Sequence, residues 1–139
     1  MQTGDLSMVG DLTGPVGTIN FLIDGGGEVI TAGIYGDMQI DSPYTITEVN
    51  LLGDQVGSIV VDIWKDTYAN FPPTAVDSIV DGGAGSGTKP TLATAIKSTE
   101  STFTNWTTLA IAAGDVLRIN VDSATTVTRV TLSIKVVRA

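Results

Sequence analysis

Residues 46–80 read ITEVNLLGDQVGSIVVDIWKDTYANFPPTAVDSIV, and the run from Ser58 to Lys65 inside them decides the class of fold. Ile59, Val61 and Ile63 fall on one side of an extended chain, and Ser58, Val60, Asp62 and Trp64 on the other. That period of two marks a strand with one face on a core. Residues 44–52 form a second strand before it, and 53–57, GDQVG, read as a link short enough for the two strands to pair antiparallel. The segment that follows, KDTYANFPPT, is stiffened by Pro72 and Pro73 and carries Tyr68 and Phe71 where loops are normally small and polar. A loop of this composition packs on something, and 75–80 then reads as a short strand.

Working outward, the same signals recur on both sides. Ile19, Phe21 and Ile23 alternate with Thr18, Asn20 and Leu22, and Asp24-Gly25-Gly26-Gly27 then predicts a hairpin turn into a strand over 28–32. Residues 34–40 read as a short strand with a bulge at Gly36. Residues 91–103 carry no clear period and fit one strand or a single helical turn. Toward the C-terminus, 107–111, 116–122 and 127–137 read as three strands. Leu117, Ile119, Val121, Val130, Leu132, Ile134 and Val136 point inward there, with Arg118, Arg129 and Lys135 on the opposite faces. Trp106 is placed over the end of the core.

The composition agrees with strands. Val, Ile and Thr are abundant, there are 16 Gly, and Glu and Lys are scarce in a chain of 139 residues with 42% hydrophobic content. One domain with a real core is expected, an all-β antiparallel sandwich of jelly-roll kind over 18–139. The immunoglobulin alternative lacks its Cys-Trp-Cys pattern, because the chain has no cysteine. Residues 1–17, MQTGDLSMVGDLTGPVG, follow neither period and are broken by four glycines and Pro15. They read as an extended arm, with Leu6, Met8, Val9 and Leu12 as its apolar candidates for anchoring contacts.

Charge and missing residue types exclude several functions. Residues 1–64 hold seven Asp and two Glu with no Lys or Arg, a charge of −9, while 65–139 hold six acidic and seven basic residues, a charge of +1. Such a surface repels phosphate backbones and anionic membranes, so no nucleic-acid or membrane partner is expected. The asymmetry suits contact between copies or with a basic surface. No apolar run approaches the roughly 20 residues of a spanning helix, and the N-terminus lacks the regions of a signal peptide.

Without His or Cys there is no Ser-His or Cys-His triad and no common zinc site. The Gly-rich run before Lys89 is not a phosphate cradle, because Thr88 separates Gly87 from Lys89 and Pro90 follows. Carboxylate chemistry would need one of Glu28, Glu48 or Glu100 facing an Asp across a cleft, and a calcium site would have to be assembled from separate loops, as by Asp62 with Asp66 or Asp81. The chain is therefore expected to be no enzyme and to carry no cofactor or metal. Trp64 on the outer face of its strand, with Tyr68 and Phe71 beyond it, is a candidate for stacking on a sugar or for packing at an interface.

Two stretches, GSIVVDIWKDTYANFPPTAVDSI at 57–79 and NWTTLAIAAGDVLRINVDSATTVTRVTLSI at 105–134, resemble a β-sandwich module that recurs in tailed-bacteriophage structural proteins, fibre and other virion-surface components among them. The resemblance spans 18–139 and rests on strands and turns rather than on a catalytic motif. It implies a virion structural role, and with the arm and the small size the expectation is a capsid decoration or head-fibre protein, made in the host cytoplasm and carried on the particle surface. Its partners would be copies of itself, as a trimer, and other virion proteins such as the major capsid protein. The alternative is a tail-fibre-type module that recognises host surface glycans.

Overall fold

A computed structural model describes residues 16–81 and 87–139. Seven strands follow one another: β1 (Val16–Asp24), β2 (Gly33–Gln39), β3 (Tyr44–Asp66), β4 (Thr91–Glu100), β5 (Ala110–Ile111), β6 (Val116–Thr125) and β7 (Arg129–Arg138). Single turns of 3-10 helix lie at Tyr68–Asn70 and Ala75–Asp77. Every pairing is antiparallel, and the path through the sheet is β1-β7-β3-β6-β2, with β4 and β5 also on β3.

This is the all-β antiparallel sandwich expected from the periodicity, built as one curled sheet. The first half of β3, Tyr44 to Gly53, pairs with β7, and its second half, Ser58 to Asp66, pairs with β6. β4 bends alongside it, with Thr91 to Ala95 against the second half and Lys97 to Glu100 against the first. Two layers result, one ending at β1 and the other at β2. The jelly-roll description, eight strands wound as two Greek keys, is finer than seven strands in this order support.

Between the layers lie the residues whose alternation announced them. Ile59, Val61, Ile63, Leu117, Ile119, Val121, Val130, Leu132, Ile134 and Val136 are all buried, each worth roughly 1.5–3 kcal/mol of transfer from water. Trp106 packs at the end of this core, edge-on to Phe103 with centroids 4.8 Å apart. Its Nε1 donates to Thr88 O at 2.7 Å. The bulge read at Gly36 is present as a register shift between Ile34 and Gly36.

Several expected elements differ. Residues 53–57 are no turn between paired strands, because β3 runs unbroken through them. Gly53 and Gly57 serve a bend that carries the strand from one layer to the other, and Gly57 passes so close to the β6–β7 corner that an added Cβ would lie 2.7 Å from Thr125 O. The hairpin at 24–27 does not form. β1 pairs with β7, and 28–32 crosses between layers without strand structure, tied by Gly25 N–H to Thr128 O and Ile30 N–H to Val127 O.

The strand expected over 75–80 is a helical turn followed by one bridge, Trp64 to Ser78. Of the strand expected over 107–111 only β5 remains, and 91–103 resolves as β4. β1 begins at Val16, two residues inside the expected arm, while residues 1–15, with Leu6, Met8, Val9 and Leu12, lie outside the described residues.

Candidate functional site

The aromatic candidates gather on the outer face of the layer made by β2, β6 and the second half of β3. Trp64 sits opposite Arg118 in the ladder, and Arg118 sits opposite Asp37. The guanidinium grips Asp37 in a fork, Nε to Oδ1 at 2.7 Å and Nη2 to Oδ2 at 3.0 Å. Those hydrogen bonds to Asp37 raise the Arg118 pKa above its ordinary value. Arg118 also lies over the Phe71 ring, 5.5 Å from its centroid, a cation–π contact.

Phe71 is 47% exposed and Tyr68 68% exposed, whereas Trp64 is half-buried and its Nε1 is shielded with no hydrogen-bond partner. The structure thus brings Trp64, Arg118 and Phe71 onto one face and leaves Tyr68 reaching outward from the helical turn beside them. Half-buried and bridged through its backbone to Ser78, Trp64 is no open platform.

What pins that loop is a polar chain in the next row. Asp62, only 5% exposed, accepts from Ser78 Oγ at 2.5 Å and meets Lys89 Nζ at 3.2 Å. Ser78 Oγ in turn accepts from the backbone N–H of Val80 and of Asp81, both at 3.2 Å. Lys89 is shared with Asp122 at 2.7 Å, and Asn120 donates to Asp122 at 2.9 Å. Burial works against the Lys89 charge, but its hydrogen bond to Asp122 and the charge of Asp62 outweigh this and raise its pKa. Ser78 has no open valence for nucleophilic work, since its hydroxyl donates once and accepts twice.

Other acids are similarly committed. Asp66 accepts from Thr67 N–H and from the Asn70 side chain. Glu100 caps the turn after β4 by accepting from Thr102 and Phe103. Glu48 holds Asn50 and faces Lys135 at 3.6 Å. Asp115 joins Lys65 Nζ at 3.1 Å and Ala112 N–H at 2.9 Å. Among the described residues no group of three or more acidic side chains is arranged to hold a metal ion.

A groove of about 310 Å³ on the opposite layer is lined by Leu22, Leu52, Gly53, Asp54, Arg129 and Thr131, without Glu28, Glu48 or Glu100. Sequence reasoning missed Asp54. Its carboxylate holds the Thr128 hydroxyl and the backbone N–H of Thr128 and Arg129, and these bonds, the Thr128 hydroxyl foremost, lower its pKa far below the usual carboxylate range. The only signal was an Asp between two glycines, which also reads as a turn. No protein-family model, curated protein or solved structure matches this chain.

Proposed function

We propose that the chain is a non-enzymatic structural protein of a bacteriophage particle, a capsid decoration or head-fibre protein that docks through its N-terminal arm and presents the sandwich at the virion surface. One observation carries the non-catalytic half of this reading. The shielded charged groups, Asp62, Lys65, Lys89, Asp115 and Arg118, are each consumed in fastening a loop or neighbouring strand. Catalytic groups are instead held poised toward a cleft. The virion half rests on the resemblance of 57–79 and 105–134 and on the excess acidity of residues 1–64, which favours docking on a basic surface.

Because Val16 and Gly17 are already paired with Val137 and Val136, the anchoring segment is best tested by removing residues 1–15 alone. The truncated chain is expected to keep its melting transition and to lose occupancy on particles. Undiminished occupancy contradicts anchoring by the arm.

A second reading, a glycan-binding module, is favoured by Tyr68, whose ring stands open beside Phe71. A glycan array probed with the wild type and with Tyr68→Ala decides it: binding lost in the variant supports the module, and no binding by the wild type removes it.

A further inference from the structure

Among the described residues three long strands of the sandwich have a free edge, and two of them carry devices that discourage pairing. β2 is interrupted by its bulge and by Gly33 and Gly36, with a charge at Asp37. β4 has two register shifts against β3, Thr94 at φ 51, and Lys97. β1 has no bulge and no basic residue, and its one glycine and one charge, Gly17 and Asp24, lie toward its two ends. Its nine residues pair with β7 in unbroken register, and no basic residue, proline or bulge interrupts it. Unprotected edges of this length invite another strand.

The direction of the free groups follows from the ladder. Gly25, just past β1, donates its N–H to Thr128 O at 2.8 Å. Alternate residues of an antiparallel pair point at the partner, so Gly17, Ile19, Phe21 and Ile23 spend their backbone groups on β7. Val16, Thr18, Asn20 and Leu22 turn theirs to the open edge. Among the described residues nothing pairs with them. The flanking side chains are correspondingly bare: Val16 is 77% and Leu22 53% exposed, and the core-facing Ile19 and Phe21 are only half-buried.

We infer that β1 pairs antiparallel with β1 of a second copy of this chain about a twofold axis through Ile19. In that register Val16 faces Leu22 of the other copy and Thr18 faces Asn20, through the backbone groups that are free. On the core side Gly17 leaves room for Phe21 of the other copy, and Ile19 meets its own counterpart. Apolar meets apolar, polar meets polar, and small meets large. The paired segment 16–22 is uncharged in a chain of net charge −8, so the copies approach here without like charges opposed, and Asp24 falls outside the pairing. The contact joins two first layers into one continuous sheet. It is twofold, and does not by itself generate the threefold assembly that the resemblance implies.

Sedimentation of the full chain at micromolar concentration tests this, with two variants. Asn20→Pro removes one edge N–H while leaving the bonds to β7, which Ile19 and Phe21 carry, in place. Ile19→Cys puts a thiol on the axis in a chain that has no other cysteine, where opposed Cα atoms of a non-hydrogen-bonded pair lie about 4.5 Å apart, within disulfide range. The expected result is a wild-type dimer, at least tenfold weaker association for Asn20→Pro, and a disulfide-linked dimer of Ile19→Cys on mild oxidation. If Asn20→Pro does not fold, the Ile19→Cys link decides alone. A monomeric wild type overturns the inference, as does an oligomer indifferent to Asn20→Pro that forms no Ile19→Cys link. So does a chain that dimerises only once residues 1–15 are removed, since the arm would then be the strand on that edge.

Discussion

The carboxylate of Asp54 and the hydroxyl of Thr128 lie 2.6 Å apart, although 74 residues separate them in the chain. Asp54 also accepts from the backbone N–H of Thr128 at 3.0 Å and of Arg129 at 3.1 Å. The bend of β3 is thereby fastened to the corner where β6 leaves one layer and β7 enters the other. A strand that changes layers needs its neighbours to change at the same place, and this contact aligns the two events.

Asp54→Ala is expected to lower the melting temperature at neutral pH, and the loss should fade in acid. The folded-state pKa of Asp54 is depressed, so its stabilisation is present above the unfolded carboxylate pKa of about 3.9 and disappears as pH falls toward the folded value. Denaturant unfolding of wild type and variant between pH 7 and pH 2 measures this. A gap between the two that persists unchanged to the lowest pH contradicts it.

Ser78→Ala should be destabilising by about 1–3 kcal/mol, because it strips a hydrogen bond from the buried Asp62 and removes the hydroxyl that accepts from the N–H groups of Val80 and Asp81. The 67–81 loop should loosen first, seen as faster amide exchange at Val80 than at Val61 or Ile63. Equal protection in both proteins removes the tether from the account.

Lys89→Met addresses the same cluster from its other end. The raised pKa of Lys89 means that its ion pairs help the fold below the unfolded lysine pKa of about 10.4 and are lost as pH rises through the folded value. The wild type should therefore lose stability above that range more steeply than Lys89→Met. Parallel profiles for the two proteins contradict the pairing.

Gly57→Ala is expected to cost about 1–3 kcal/mol by overpacking, since a Cβ there would meet Thr125 O at 2.7 Å and Val127 Cγ1 at 2.8 Å. Urea midpoints of wild type and variant measure it. A neutral substitution would mean that the β3 bend does not lie this close to the corner.

Those close approaches explain what could and could not be read from the chain. Strands with one face on the core declare themselves, because every second residue at Ile59 to Ile63, at Leu117 to Val121 and at Val130 to Val136 is apolar and buried. The bend at 53–57 does not, since Gly and Asp are what a tight turn needs and also what a strand needs to cross a corner. Only Thr128, far along the chain, distinguishes the two.

The hairpin at 24–27 was misread for a related reason: the turn residues are real, but β1's partner is β7. β4 was obscure because its edge position buries little beyond Leu92. Of the candidate site, Trp64 is half-buried with its Nε1 shielded, and the tie of the 67–81 loop to β3 rests on Asp62 and Ser78, whose pairing no spacing announces.

The central functional claim is that this chain is a component of a virus particle, and the most direct measurement is made on particles. Under the proposed function the chain is phage-encoded, so virions of that phage, purified to constant composition, are analysed by mass spectrometry and labelled with an antibody raised against residues 16–139. The account predicts the chain at a fixed ratio to the major capsid protein, with label at the particle surface. Its absence from purified particles, with the protein found only free in the lysate, would contradict the account.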